Sequence, residues 1–265
     1  MARTVENLSD YLLKRAVTES KRKSTVQLAE EFARTTKEAP NSADPPLARL
    51  FRLGEVSLRL YLTLVMMTAK PDKGGGAARA LHRETAASHF AEMFGYDDLG
   101  DGVNPPGPGT RRVERALRKL DAEKFIELTK DPGHHPKIAV VHPGEPQPPY
   151  ITLPVQLWAN SWITALTGRG LAVYVALRLV TVKKEQGEGQ HVPPYEQVRF
   201  GLSPDTWQRG TRELVSLGLL EVRPGIVETR GLRSRYRNVY YLNFERVLQE
   251  RPSDPITPIA PIPEI

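Results

Sequence analysis

The side chains best suited to chemistry in this 265-residue chain are arginines at helical spacing, not nucleophiles or metal ligands. Asp205 to Leu220 reads D-T-W-Q-R-G-T-R-E-L-V-S-L-G-L-L, with Trp207, Thr211 and Leu214 on one helix face and Gln208, Arg209 and Arg212 on the other. The apolar face would fix the helix on a core. Glutamine and arginine on the opposite face can bind base edges bidentately or hold phosphates. Ser203 is a suitable N-cap, Pro204 fits the first helical position, where a missing N–H costs nothing, and Asp205 favours the positive helix end. Asp205 also stands four residues before Arg209, so an ordinary surface ion pair competes with any role of Arg209 towards a ligand.

Four more arginines follow. Leu219 to Arg223 and Asn238 to Phe244 have strand composition, and between them Arg230, Arg233, Arg235 and Arg237 read as a loop with Gly225 and Gly231. Such a loop can track a phosphate backbone or enter a narrow minor groove. A single arginine there is better explained as solvated surface charge; the group beside a basic helix is what points to DNA.

The elements that must position these residues occur twice. Arg111 to Ile126, R-R-V-E-R-A-L-R-K-L-D-A-E-K-F-I, aligns without gaps on Asp205 to Leu220, so that Val113 falls on Trp207, Arg115 on Arg209, Arg118 on Arg212 and Leu120 on Leu214. Upstream, Leu58, Tyr61, Leu62, Leu64 and Met66 correspond to Leu171, Tyr174, Val175, Leu177 and Leu179, which reads as a long buried helix in each copy. The first copy carries extra residues at Gly74-Gly75-Gly76 and from Tyr96 to Gly109, so a tight turn between its second and third helices is excluded. Arg111, Arg112, Arg115, Arg118 and Lys119 still make its third helix strongly basic, suited to phosphate contact, to base readout or to a protein contact.

A helix, a second short helix, a third helix and a strand hairpin is the order of the winged helix-turn-helix, and Asp205 to Leu220 resembles that superfamily, including Gly210 and the exit at Gly218 to Leu220. The expected fold is therefore mainly α with small β-hairpin wings (α+β), as two winged helix-turn-helix domains in tandem. The boundaries follow composition. Residues 1–46 form an N-terminal amphipathic helix, from Ser9 to about Lys37 with Leu12, Leu13, Ala16, Leu28 and Phe32 on its apolar side, and a linker from Glu38 to Pro46. Residues 47–142 form the first domain with insertions, residues 150–250 the second, and His142 to Pro149 the break between them. Residues 251–265 alternate isoleucine with proline and read as an extended tail.

The lead-in Tyr150-Ile151-Thr152-Leu153-Pro154, with Leu157-Trp158 and Leu166-Thr167-Gly168, looks like that of the winged-helix domain in plasmid replication initiators and in regulators from mobile elements. The resemblance implies a site-specific double-stranded DNA-binding protein, a replication initiator or a transcriptional regulator, with Ser203, Gln208, Arg209, Arg212, Arg230, Arg233, Arg235, Arg237, Arg111, Arg112, Arg115 and Arg118 as its candidate DNA contacts. A non-enzymatic adaptor that uses the same fold for protein contacts is the alternative. A homodimer, and a protein partner for the N-terminal helix or the tail, stay open.

Composition agrees with a polyanionic partner. The net charge is +6 and the pI about 9.5. The apolar run from Leu58 to Val65, broken by Arg59 and Thr63, is far shorter than the roughly 20 residues of a spanning helix, so no membrane role is expected. The absence of cysteine removes disulfides, thiol nucleophiles and cysteine zinc sites, and fits a cytoplasmic, nucleoid-associated protein.

Enzymatic readings lack their parts. No G-x-x-x-x-G-K-[ST] occurs. His134 and His135 are adjacent rather than alternating and follow a Pro132-Gly133 turn, a poor metal site. Asp97, Asp98 and Asp101 resemble a calcium loop without its third and closing ligands. His82-Arg83-Glu84 has deaminase spacing, but no cysteines to hold zinc. No cofactor, metal or catalysis is expected.

Overall fold

In the computed structural model, which describes residues 7–35, 44–68, 78–80, 86–96, 106–129, 132, 134–142, 150–181, 189–229 and 233–256, the N-terminal segment is not one helix. Helix α1 (Leu8–Glu19) is capped by Asn7, whose side chain accepts the Asp10 N–H at 2.8 Å; Ser9, where the helix was expected to start, lies inside it and donates its hydroxyl to the Met93 carbonyl at 2.7 Å. The chain leaves α1 through Lys21 in the left-handed region and forms strand β1 (Thr25–Ala29) and one turn of helix, α2 (Glu30–Ala33). Val26 and Leu28 bury on one face of β1, so a period of two overrides the helical spacing of Leu28 and Phe32.

The chain continues through α3 (Pro46–Leu53), α4 (Glu55–Met67), β2 (Ala78–Ala80), α5 (Ala87–Met93), α6 (Pro108–Ala122), β3 (Ile126–Thr129) and β4 (Lys137–Val141). It then runs β5 (Tyr150–Pro154), α7 (Gln156–Ala159), α8 (Trp162–Ala165), α9 (Gly168–Thr181), β6 (Gln190–His191), α10 (Pro194–Arg199), α11 (Pro204–Ser216), β7 (Leu220–Thr229), β8 (Arg233–Leu242) and α12 (Phe244–Gln249). The result is a mainly helical α+β fold with small antiparallel sheets. Strand order is β2-β4-β3 in one three-stranded sheet and β6-β8-β7 in the other, so the last strand of each half lies in the middle. Among the described residues no helix is long and apolar enough to cross a membrane.

Helices α4 and α9 are buried nearly all round, from Ser57 to Met66 and from Gly170 to Leu177, as their lack of a polar stripe requires. Their surroundings join the halves. β1 pairs with β5, the Trp158 indole N–H donates to Thr63 Oγ1 at 3.1 Å, and the buried Arg59 donates to the carbonyls of Ile163 and Leu166 at 2.9 and 3.0 Å. Buried apolar side chains from both halves form one connected cluster. Arg22 satisfies the end of α4 by donating to the carbonyls of Val65, Met66 and Thr68.

Residues 251–254 differ from the expected extended tail. Arg251 and Asp254 close a turn, and the buried Arg246 of α12 donates to the carbonyls of Leu217, Asp254 and Pro255. The interdomain break at 143–149, the linker at 38–43, the Gly74-Gly75-Gly76 loop and the tail beyond Ile256 lie outside the described residues.

Candidate nucleic-acid interface

Helix α11 is held by its inner face. Ser203 Oγ accepts the Thr206 N–H at 3.1 Å, so the expected cap is formed, and Thr206, Trp207, Gly210 and Leu214 are buried. Trp207 stacks on Phe200 at 5.7 Å, meets Tyr240 of β8 edge-on at 6.1 Å, and donates its indole N–H to the Tyr240 hydroxyl at 3.2 Å. One side chain thereby ties the helix, the turn before it and the central strand of the sheet. That turn is short, with Gly201 at φ 63° between α10 and α11, a conformation other residues adopt at a cost. Gln208, Arg209 and Arg212 are left exposed on the outer face. Arg209 pairs with Asp205 at 2.8 Å, the competing contact expected from the spacing, but both side chains are more than half exposed and the pair is weak.

The hairpin is longer than its composition suggested. Ten residues of β7 pair with ten of β8, from Leu220 opposite Leu242 to Thr229 opposite Arg233. Arg233, Arg235 and Arg237 are therefore strand residues, not loop residues, and Gly225 lies opposite Arg237 within the ladder. A period of two sets these three positions on one face of β8. The side chains of Arg235 and Arg237 are exposed, and together with Arg212 they have no ion-pair partner among the described residues. On the other face Ile226 and Tyr236 form an exposed cross-strand pair, which the alternation R-S-R-Y-R-N of β8 signals. Nearer the core, Arg223 is bound by Glu221 and lies 5.2 Å from the Tyr241 ring centre, and the Glu221 carboxylate raises its pKa. Arg230 and Gly231 lie outside the described residues, and Arg233 is described only in its backbone.

Helix α6 repeats the scheme. Val113, Ala116, Leu117 and Leu120 are buried, whereas Arg111, Arg112, Arg115 and Arg118 are exposed. Arg111 donates to the Pro106 carbonyl at 2.8 Å, and Arg112 lies 5.9 Å from the ring centre of Tyr96. Burial raises the pKa of Tyr96, against the opposing pull of Arg59. The fourteen residues between α5 and α6 include 97–105, which are outside the described residues and contain the calcium-like Asp97, Asp98 and Asp101; His82-Arg83-Glu84 also falls outside. His134 and His135 are exposed before β4. Among the described residues no group of three or more His, Asp or Glu side chains is placed to hold a metal ion.

No family model, no curated protein and no solved structure matches the chain.

Proposed function

We propose that the protein binds double-stranded DNA site-specifically through tandem winged helix-turn-helix units, as a replication initiator or transcriptional regulator of a plasmid or mobile element. The reading is carried by one observation: a helix seated by Trp207 and Leu214 turns Gln208, Arg209 and Arg212 outward beside a hairpin with exposed Arg235 and Arg237. In this reading α11 enters the major groove and the hairpin is the wing, with its arginines on backbone phosphates. The order helix, strand, helix, helix, strand, strand, with the last strand central, supports it in both halves. Helix α6, with Arg115 and Arg118 at the positions of Arg209 and Arg212, adds phosphate contacts or a second reading surface.

Fluorescence anisotropy on a random duplex over a range of salt concentrations tests the reading. Binding at low salt with a steep linear fall of log affinity against log salt is expected. No binding at low salt would overturn it. The adaptor reading is favoured by exposed Tyr195 and Val198 on α10 and by Ile226 and Tyr236 on the hairpin, and that outcome would support it.

A further inference from the structure

The two halves meet through equivalent parts. Apart from α1, which precedes the first and has no counterpart, each opens with a five-residue strand of the same burial pattern, β1 and β5, followed by two short helices and a long one. The strands pair antiparallel with Thr25 opposite Pro154, Gln27 opposite Thr152 and Ala29 opposite Tyr150, so first meets last and middle meets middle. The long helices touch at their first residues, where the Gly168 N–H donates to the Glu55 carboxylate at 2.9 Å. The cross-contacts are reciprocal as well: α3 packs on α9, and α4 reaches the end of α8 through Arg59. When position i of one unit meets j of the other and j meets i, the operation between the units is a two-fold rotation; a head-to-tail arrangement gives only one of the two contacts.

The exposed helices are carried by the same operation. Lys119 of α6 donates to the Leu53 carbonyl at 2.9 Å, just before α4, and Glu213, the aligned position of α11, accepts the Thr167 N–H at 2.7 Å, just before α9. Each of these two helices is thus anchored by the same position to the start of its own long helix, next to the Glu55–Gly168 contact. The outward arginines coincide too, Arg115 with Arg209 and Arg118 with Arg212, whereas Arg111 faces the position of Asp205 and Glu114 that of Gln208.

We infer that one chain reads an inverted-repeat DNA element, with one half-site for α6 and one for α11. The inference rests on the DNA-binding reading above. Two reading helices related by a two-fold axis can engage one duplex equivalently only about a dyad of that duplex, and the bases they meet then run in opposite directions. The half-sites share the base pairs met by the common arginines, for which guanine is the usual partner, and differ where Glu114 and Gln208 differ.

Selection of duplexes from a randomised pool with the full chain tests this, followed by the mass of the complex on the winning sequence. The expected result is an inverted repeat occupied by one chain. Rebuilding the same two half-sites in direct orientation should lower affinity about tenfold or more, and selections with Arg115→Ala and Arg209→Ala should each relax a different half-site. Both arginines are exposed, and a thermal melt verifies that the variants fold. A direct repeat, a lone half-site or an inverted repeat that needs two chains would overturn the inference and leave site-specific DNA binding standing, whereas binding without enrichment would overturn the inference and the site-specificity together. No binding to any duplex would overturn both.

Discussion

Gly168 donates its N–H to the carboxylate of Glu55 at 2.9 Å, and a Cβ at Gly168 would stand 3.1 Å from Glu55 Cα. The same carboxylate accepts Arg59 Nη2 at 2.8 Å, so it serves the start of α9 and a buried guanidinium together. Glu55→Ala should lower stability by about 1–2 kcal/mol: about 1 for the lost helix-end acceptor, and a part of the cost of a broken buried pair, since Arg59 keeps its carbonyl partners. Glu55→Gln should lose less. Urea unfolding reads this as a shifted midpoint at unchanged slope, and an alanine variant as stable as the parent would show that the contact contributes nothing.

Tyr61 and Tyr174 occupy equivalent positions but differ at the hydroxyl. Tyr61 donates to the Val141 carbonyl at 3.0 Å, whereas the buried Tyr174 hydroxyl has no hydrogen-bond partner among the described residues. Tyr61→Phe should cost about 1 kcal/mol, and Tyr174→Phe should cost nothing or stabilise, because an unsatisfied buried polar group is removed. Burial pushes the Tyr174 pKa up to about 12. The folded state therefore holds this proton more tightly than the unfolded state, and the associated stability is full below about pH 10 and lost as pH rises through the folded value, roughly 3 kcal/mol in all. Melts from neutral to strongly alkaline pH should show less alkaline loss for Tyr174→Phe than for the parent protein; equal losses would contradict the assignment.

Helices α9 and α11 cross closely at Gly210, where a Cβ would lie 2.6 Å from Val173 Cγ2 and 2.8 Å from the Arg169 carbonyl oxygen. Alanine gains about 1 kcal/mol in helix propensity, but overpacking costs about 1–3 kcal/mol, and the backbone carbonyl cannot swing aside. Gly210→Ala should be destabilising by about 1 kcal/mol net, and Gly210→Val by more. Thermal melts check the order, and a stabilised alanine variant would mean that the two helices separate without loss.

Replacing Arg209 by Ala should cost about 1–3 kcal/mol on the preferred DNA site and much less on random DNA. Arg235→Ala should instead weaken both alike and reduce the salt slope by about one. Asp205→Asn should tighten binding to any duplex, since it removes a negative charge and releases Arg209 from a pair worth only about 0.3–0.5 kcal/mol. Equal losses for Arg209→Ala on specific and random duplexes would sink α11 as the reading helix.

Arg246 is almost fully buried and takes two of its acceptors, the Asp254 and Pro255 carbonyls, from the segment after α12. Deleting residues 253–265 should therefore cost about 2 kcal/mol or more, because a buried guanidinium loses partners. DNA affinity of the folded fraction should be unchanged. A truncated protein that melts with the parent would show that water or other groups replace both carbonyls.

Apolar periodicity in the sequence was enough to locate α4, α6, α9 and α11, since each must bury one face or all of its surface wherever it packs. Local capping chemistry likewise located Ser203 and Pro204 at the start of α11, and the arginine pairs of α6 and α11 stood out by alignment alone. Strand β1 was not legible. Val26 and Leu28 fit a strand while Leu28 and Phe32 fit a helix, and only pairing with β5, far along the chain, decides between them. The extent of the hairpin was hidden for the opposite reason: from Arg235 to Asn238 side chains of both faces of β8 are exposed, so no burial pattern marks Arg235 and Arg237 as strand. Local pattern along the chain is therefore enough to say which helices are buried and which side chains they present. The two-fold relation between the halves, with Glu55 against Gly168 and Gln27 against Thr152, belonged to the tertiary structure, because contacts between distant segments are chosen by shape and hydrogen bonding in three dimensions and leave no period along the chain.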